Sequence, residues 1–450
     1  MKYNIFFLLI DSLREDEFRK FCISHPSSTF TNLSDHGTYF SNCISSADAT
    51  LLSLSSIFTG LYPNKTGIRS EKFNQLSPNV STFFQNLQLE NYNFYGYYPT
   101  VVDLTNLLPK FKNEDSAKFA SPCITNEISK NLIADFNNLD HPWFLYLHCM
   151  DLHDPIKVPK KLDDKRIIST YQKQIMAIDK VLGNIIKKID LSKTIFILCS
   201  DHGTYLKQLN TSKNFVDFEN NSSFDILLRK VGKRVPKNFN LIKEKVFFNL
   251  VQNQRTRQTK KIQNLSLTPY EKRNLLSQKF NLEHNLFDEL IKVPLIFSGG
   301  HIPKNKIIEN QIRGVDIFPT LLSFLKIKID KQSIDGKNLI PLILGEAFDE
   351  LIAYFETNPL LTYKSFDSIG IRLSNHKYFR DKENSKQRIH LYDLKNDPYE
   401  NNNIADTHKH VVKEMETALQ TILQNNSVNV DTNVTNSEDI EDELKKLGYV

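Results

Sequence analysis

The chain has 450 residues, 40% of them hydrophobic and 24% charged, with 57 Lys and Arg against 52 Asp and Glu. This is the composition of a soluble globular protein, long enough for one large α/β domain and a smaller one. No apolar stretch reaches the length needed to span a bilayer, and a formal charge of +5 is too small to argue for a nucleic-acid partner.

Residues 4–10, Asn-Ile-Phe-Phe-Leu-Leu-Ile, form a continuous apolar run bounded by charge. That pattern predicts a strand buried on both faces of a parallel sheet, and it is too short and too closely followed by charge for a signal peptide. With no export signal read, the expected location is cytoplasmic. Asp11 follows the strand at its carboxyl end, where open α/β sheets place ligands and where turns also place Asp. The stretch 47–67 predicts a helix stopped by Gly60 and Pro63, with Leu51, Leu54, Ser55 and Phe58 on one buried face. Thr50 stands where that helix begins. Its hydroxyl can cap the helix, or it can attack an electrophile whose charge the free backbone N–H groups hold.

Residues 79–90 carry mixed signals, with Val80, Phe83, Phe84 and Leu87 on one helical face; 93–98 reads as an aromatic strand and 127–136 as a helix. Residues 143–147 form a second buried strand. It empties into His148, Asp151, His153 and Asp154, a cluster that reads either as chemistry or as a buried structural pair of histidines. A helix is predicted over 170–189, then a third apolar strand ending in Asp201, His202 and Gly203. Three buried strands thus end in oxygen and nitrogen donors, which converge if the strands are neighbours.

Residues 205–283 differ in character, with sixteen Lys and Arg against six Asp and Glu. Apolar clusters at 224–228 and 246–251 predict a mostly helical insertion. Its charge reads either as a solvated face or as a surface for an anionic substrate or partner. A strand at 293–297, a turn and helix over 315–324, and shorter strands near 351–355, 369–373, 377–380 and 390–394 follow. The last four suit a small antiparallel sheet. Helices are expected at 406–424 and, after a polar linker, at 438–450. The five cysteines form no CxxC pair and read as buried thiols.

The motifs together resemble the sulfatase family of the alkaline phosphatase superfamily, from Asn4 to the end with the insertion as interruption. The blocks are the start through Ile10-Asp-Ser-Leu-Arg14, Ser55-Ser-Ile-Phe-Thr-Gly-Leu-Tyr-Pro63, Phe144-Leu-Tyr-Leu-His148 with Asp151-Leu-His-Asp-Pro155, and Ser200-Asp-His-Gly203. They continue with Phe287-Asp-Glu-Leu-Ile-Lys-Val-Pro-Leu-Ile296, Val315-Asp-Ile-Phe-Pro-Thr320, Leu391-Tyr-Asp-Leu-Lys-Asn-Asp-Pro398 and Leu447-Gly-Tyr449. The resemblance implies a central mostly parallel sheet flanked by helices over 1–345, with a smaller antiparallel subdomain over 346–450. It implies one divalent metal (Mn²⁺, Mg²⁺, Ca²⁺ or Zn²⁺) on Asp11, Asp201, His202 and the Thr50 oxygen, which suits the donor set. It further implies Thr50 as nucleophile, His153 as anion contact or proton donor, and His284 as a second contact; His148 is left to a supporting role.

Sulfatases usually carry Cys or Ser where Thr50 stands, then Pro and Arg where Leu52 and Leu54 stand, and convert the first to formylglycine. Ser12 replaces a second acidic residue often found there. The Thr-centred set is similar to that of phosphoglycerol and phosphoethanolamine transferases and phosphoesterases. The expectation is therefore a metal-dependent hydrolase or transferase of phosphate or sulfate esters acting through Thr50, with phosphorus favoured and a small-molecule or glycan ester as partner. A sulfatase working without the usual motif, and a non-catalytic scaffold binding an anionic glycan, are the alternatives.

Overall fold

A computed structural model describes residues 2–68, 75–167, 169–211, 215–218, 240–276, 281–329, 334–359 and 365–424. Its strands run β1 (Asn4–Ile10), β2 (Gly37–Ile44), β3 (Asn93–Pro99), β4 (Lys118–Phe119), β5 (Trp143–Cys149), β6 (Thr194–Cys199), β7 (Gln208–Asn210), β8 (Phe215–Asp217), β9 (Lys292–Gly299), β10 (Lys306–Ile308) and β11 (Ile312–Arg313), then β12 (Ala353–Glu356), β13 (Ser368–Arg372), β14 (His376–Asp381) and β15 (His390–Asp393). The main sheet has the order β10-β2-β9-β6-β1-β5-β3-β4, with β11 also on β2.

The predicted buried strands are its centre. β1 lies parallel between β5 and β6, with Ile5 opposite both Phe144 and Ile195. Its alternate residues enter two cores. Ile5, Phe7 and Leu9 pack on one face and Phe6, Leu8 and Ile10 on the other. A strand covered on both sides has no solvent face, which is why the run is apolar throughout. Deleting one such Phe side chain costs about 3–5 kcal/mol. β9 is antiparallel to both β2 and β6, so the sheet is mostly rather than wholly parallel. β2 completes the buried middle, although its segment shows no clean alternation in sequence.

The helix Thr50–Thr59 begins and ends as expected, with Gly60 in the left-handed conformation at its end (φ 68°) and Gly60 N–H on the Ser56 carbonyl. Two details differ. Its residues from Leu52 to Thr59 are all buried, so it is an interior helix without a solvent face. Pro63 does not merely end it but opens a second short helix, Pro63–Thr66.

The second sheet is β12-β13-β14-β15, antiparallel throughout. The helix Lys409–Gln424 packs on it through Met415 and Leu419. This subdomain touches the segment that precedes Thr50. Glu356 N–H donates to the Ser46 carbonyl at 3.0 Å, and Asn358 N–H donates to Asp48 Oδ1 at 2.9 Å.

Within residues 205–283, the described residues form the β7–β8 hairpin and the helices Asn240–Gln263 and Pro269–Asn274. The apolar cluster at 224–228, the linker after 424 and the helix expected at 438–450 lie outside the described residues. Three cysteines, Cys43, Cys149 and Cys199, are buried, while Cys22 and Cys123 are partly exposed. The uniform reading of five buried thiols is corrected to that extent. No described helix is long and apolar enough to cross a membrane.

Candidate active site

Because β1, β5 and β6 are adjacent and parallel, their carboxyl ends deliver Asp11, His148 and Asp201 to one place. One ligand atom from each lies within 4.8 Å of the others, and all three residues are buried. Asp11 Oδ1 accepts from the Ser12 hydroxyl at 2.6 Å. Its Oδ2 faces Thr50 Oγ1 at 3.3 Å and His148 Nε2 at 3.7 Å. Asp201 Oδ1 accepts from the N–H groups of His202, at 2.8 Å, and Ser12, at 3.2 Å. Ser12 reaches that position with φ at 62°, a left-handed conformation unusual for a residue with a side chain.

Thr50 is the first residue of its helix, and the N-cap is Ala49, which makes no side-chain cap. The capping reading of Thr50 is thereby corrected. Its hydroxyl points instead toward Asp11 Oδ2 and toward His202 Nε2, at 3.4 Å. His202 Nδ1 faces the Gly203 carbonyl at 2.7 Å. The carbonyl only accepts, so Nδ1 carries its proton and donates to it, and Nε2 is the nitrogen that faces the site. Ser45 holds this loop in place. Its hydroxyl contacts Ser53 Oγ at 2.9 Å and donates to the Asp201 carbonyl.

His148 is the residue that sequence reasoning undervalued. It is wholly buried, its Nδ1 meets the Tyr146 hydroxyl at 2.8 Å, and its Nε2 has no hydrogen-bond partner. The available signal was its position two residues after Tyr146 in a buried strand, on the same face. The neighbouring carboxylate Asp151 does something else. It accepts from Ile124 N–H at 2.7 Å, from Gln174 Nε2 at 2.9 Å and from the Thr125 hydroxyl, and so ties the chain after β5 to a neighbouring turn and helix. Asp154 pairs with Lys207 at 2.8 Å.

The electrostatics are those of an anionic pocket edged by imidazoles. Burial alone would raise the Asp11 carboxyl, but His153, His148 and His202 outweigh it and hold the group well below the usual carboxylate range. The half-buried His153 is among the groups that lower it. Asp201 is pushed up by burial and by the like charge of Asp11. Burial would lower His202, and Asp201 and Asp11 overcome this and raise it. His284 stands apart. Its Nε2 meets the Asn281 carbonyl at 2.7 Å and its Nδ1 faces Asp367 at 3.4 Å. It acts on the site's edge through Asp48, whose carboxyl is raised by burial and steadied by His284 and His202.

The donors fit a divalent cation. Two buried carboxylates face each other, Asp201 Oδ2 and His148 Nε2 both lack a hydrogen-bond partner, and buried polar atoms without partners are costly. A hard or borderline ion matches this oxygen and imidazole set.

Gly203, next to His202, packs against the backbone of Glu289 and Leu290. A Cβ there would lie 2.1 Å from the Glu289 carbonyl oxygen, so close backbone approach requires glycine. The buried Arg14, three residues after Asp11, donates to Asp16 and Asn274 and to the Tyr270 hydroxyl at 3.0 Å. The segment carrying Tyr270 and Asn274 is therefore bolted to the loop that carries the site.

The sheet order, the antiparallel subdomain and the donor set at the strand ends together define an alkaline-phosphatase-like architecture. The chain belongs to the sulfatase family: the family's sequence profile, described as "Sulfatase", matches residues 3–327. A profile described as "N-sulphoglucosamine sulphohydrolase, C-terminal" matches residues 279–426. Arylsulfatase K of Xenopus laevis is 24% identical over 161 residues, 34% of this chain and 30% of that protein. Arylsulfatase K of Gallus gallus is 26% identical over 146 residues, 31% of this chain and 27% of that one. The matched segment thus spans less than a third of either relative. Among solved structures, the phosphonate monoester hydrolase of Agrobacterium radiobacter shares the fold with a TM-score of 0.63 at 15% identity, covering 96% of this chain and 97% of that one. A protein solved with its substrate D-glucosamine-2-N,6-O-disulfate gives 0.64 at 14% identity, covering 97% and 100%.

Proposed function

We propose that the chain is a metal-dependent hydrolase of sulfuric esters, with Thr50 in the nucleophile position. The observation that carries this reading is the convergence of Asp11, His148 and Asp201 within 4.8 Å, with Thr50 Oγ1 3.3 Å from Asp11 Oδ2. Asp11, Asp201, His148 and His202 would hold the ion, with Thr50 oxygen beside it. A divalent ion there supplies Lewis-acid stabilisation of charge on the transferred group and lowers the pKa of a nearby hydroxyl. The protein's own groups do the rest. The Thr50 hydroxyl gives its proton to solvent as Oγ1 attacks sulfur. The bond from sulfur to the substrate oxygen breaks, and His153 gives a proton to that leaving oxygen. Water then attacks the sulfur of the Thr50 ester and the bond from sulfur to Oγ1 breaks; one water proton restores the Thr50 hydroxyl, the other returns to His153, and sulfate leaves. Membership in the sulfatase family and the likeness to arylsulfatase K support sulfur as the reacting atom.

Thr50 itself favours a second reading, in which the ester is a phosphate or phosphonate. Threonine does not offer formylglycine chemistry, and a plain alcohol that forms a phosphoester intermediate is a sufficient nucleophile. The fold shared with a phosphonate monoester hydrolase is compatible with it. The deciding experiment is a panel of p-nitrophenyl sulfate, phosphate and phosphonate esters assayed with Mn²⁺, Mg²⁺, Ca²⁺ and Zn²⁺. Turnover of the sulfate above the others supports the first reading. Turnover of the phosphorus esters alone overturns it in favour of the second, and no turnover of any ester overturns both.

A further inference from the structure

The turn after β1 carries a serine that touches both carboxylates of the site. Ser12 is 5% exposed. Its hydroxyl donates to Asp11 Oδ1 at 2.6 Å, and its backbone N–H donates to Asp201 Oδ1 at 3.2 Å. Both bonds are made with the residue at φ 62°, a conformation that a side chain disfavours and that a fold keeps only where its surroundings hold it. Those surroundings are in place. The Ser12 carbonyl accepts from the Tyr171 hydroxyl at 2.7 Å, and Leu13 N–H donates to Ser200 Oγ at 2.9 Å.

The two contacts divide the four carboxylate oxygens. Oδ1 of Asp11 and Oδ1 of Asp201 both turn to Ser12, and the second also accepts from His202 N–H at 2.8 Å. The two Oδ2 atoms are left to the site. Asp11 Oδ2 faces Thr50 Oγ1 at 3.3 Å and His148 Nε2 at 3.7 Å. Asp201 Oδ2 lies 3.6 Å from His202 Nε2 and has no hydrogen-bond partner. Each carboxylate therefore offers an ion one oxygen. Two single oxygens, one hydroxyl and two imidazole nitrogens are a poor set for calcium, which takes about six to eight oxygens, some of them in pairs from one carboxylate. They are a good set for a borderline transition ion.

We propose that Ser12 is a positioning residue that sets the metal preference of this centre: by holding one oxygen of each carboxylate it directs the site to a transition ion such as Zn²⁺ rather than to Ca²⁺. This rests on the metal-dependent reading of the site and is independent of which ester is cleaved there.

The test titrates metal-free wild type, S12G and S12A with Zn²⁺ and with Ca²⁺ by calorimetry, counting only the binding that D201N abolishes. Wild type should prefer Zn²⁺ by about 100-fold or more. Glycine takes a positive φ without strain and keeps the N–H, so S12G removes the hydroxyl alone and frees Asp11 Oδ1. It should weaken Zn²⁺ binding by about 10- to 100-fold and leave Ca²⁺ binding within about threefold of wild type, or tighter. S12A should follow S12G; if S12A does not fold, S12G carries the test. A serine that only supports the fold would lower the affinity for both ions by one factor. That result overturns the proposal, as does an unchanged ratio between the ions in S12G or a wild type that prefers Ca²⁺. Should the preference fall in S12G while wild type cleaves no ester, the hydrolase reading fails and the assignment of Ser12 stands. Should wild type cleave esters while S12G keeps the full preference, the assignment of Ser12 alone fails.

Discussion

Thr50 Oγ1 lies 3.3 Å from Asp11 Oδ2, although the two residues are 39 positions apart. The pairing joins the first turn of an interior helix to the end of the central strand. If this hydroxyl is the nucleophile, Thr50→Ala should lower kcat/KM by about 10³-fold or more. Thr50→Ser, which keeps the hydroxyl, should retain most activity. An alanine variant as active as wild type would remove Thr50 from the mechanism.

The buried contact between Tyr146 and His148 predicts an indirect effect on metal affinity. Tyr146→Phe removes the hydroxyl that fixes the ring at Nδ1, and such supporting groups typically contribute about 10- to 100-fold in affinity. His148→Ala should cost more. Both are read by metal content after dialysis against a graded chelator. Metal affinity unchanged in His148→Ala would exclude it as a ligand.

Gly203→Ala should damage the site by steric displacement alone. The added methyl would meet the Glu289 carbonyl at 2.1 Å, and a backbone oxygen cannot swing away as a side chain can. We expect a fall in thermal midpoint together with loss of metal binding. A variant with wild-type stability and metal affinity would contradict the packing described here.

His390 predicts how stability responds to acid. Burial, helped by Arg388 and Lys377, brings its imidazole down to about 4 from 6.5. Between those values the unfolded chain binds a proton that the folded chain refuses. The stabilisation is therefore complete above about 6.5 and is lost as pH falls toward 4, by at most about 1.4 kcal/mol per unit. His390→Phe keeps the stack on Phe379, whose ring centroid is 4.4 Å away. It should flatten that part of the urea-midpoint profile. An unchanged slope between pH 7 and pH 5 would show that other groups set it.

The legible parts of the fold were those whose physics is local. A strand covered on both faces must be apolar at every position, so β1, β5 and β6 were visible as runs. The small antiparallel sheet was visible as short segments near its true bounds. β2 was not, because its mixture of Gly37, Thr38, Ser41 and Asn42 with aromatic residues acquires meaning only from pairing with β9. The helix at Thr50 was found, but its complete burial was not, since serines on its far side find partners that a sequence does not display. Ser53, for example, donates to the Ala47 carbonyl and contacts the Ser45 hydroxyl.

The candidate site divides in the same way. Sequence alone determined that acids and imidazoles stand at the ends of buried strands, because the apolar run and the polar residue that ends it are contiguous. It also determined the departures at Thr50, Leu52 and Leu54. Tertiary structure decided which donors meet. Strand order put β1 between β5 and β6, so His148 joins Asp11 and Asp201, while Asp151, three residues further on, turns away to bind backbone N–H groups. It likewise decided that the Thr50 hydroxyl faces Asp11 rather than capping its own helix. Strand adjacency and side-chain direction arise from packing between distant segments, and no single stretch of this chain contains them.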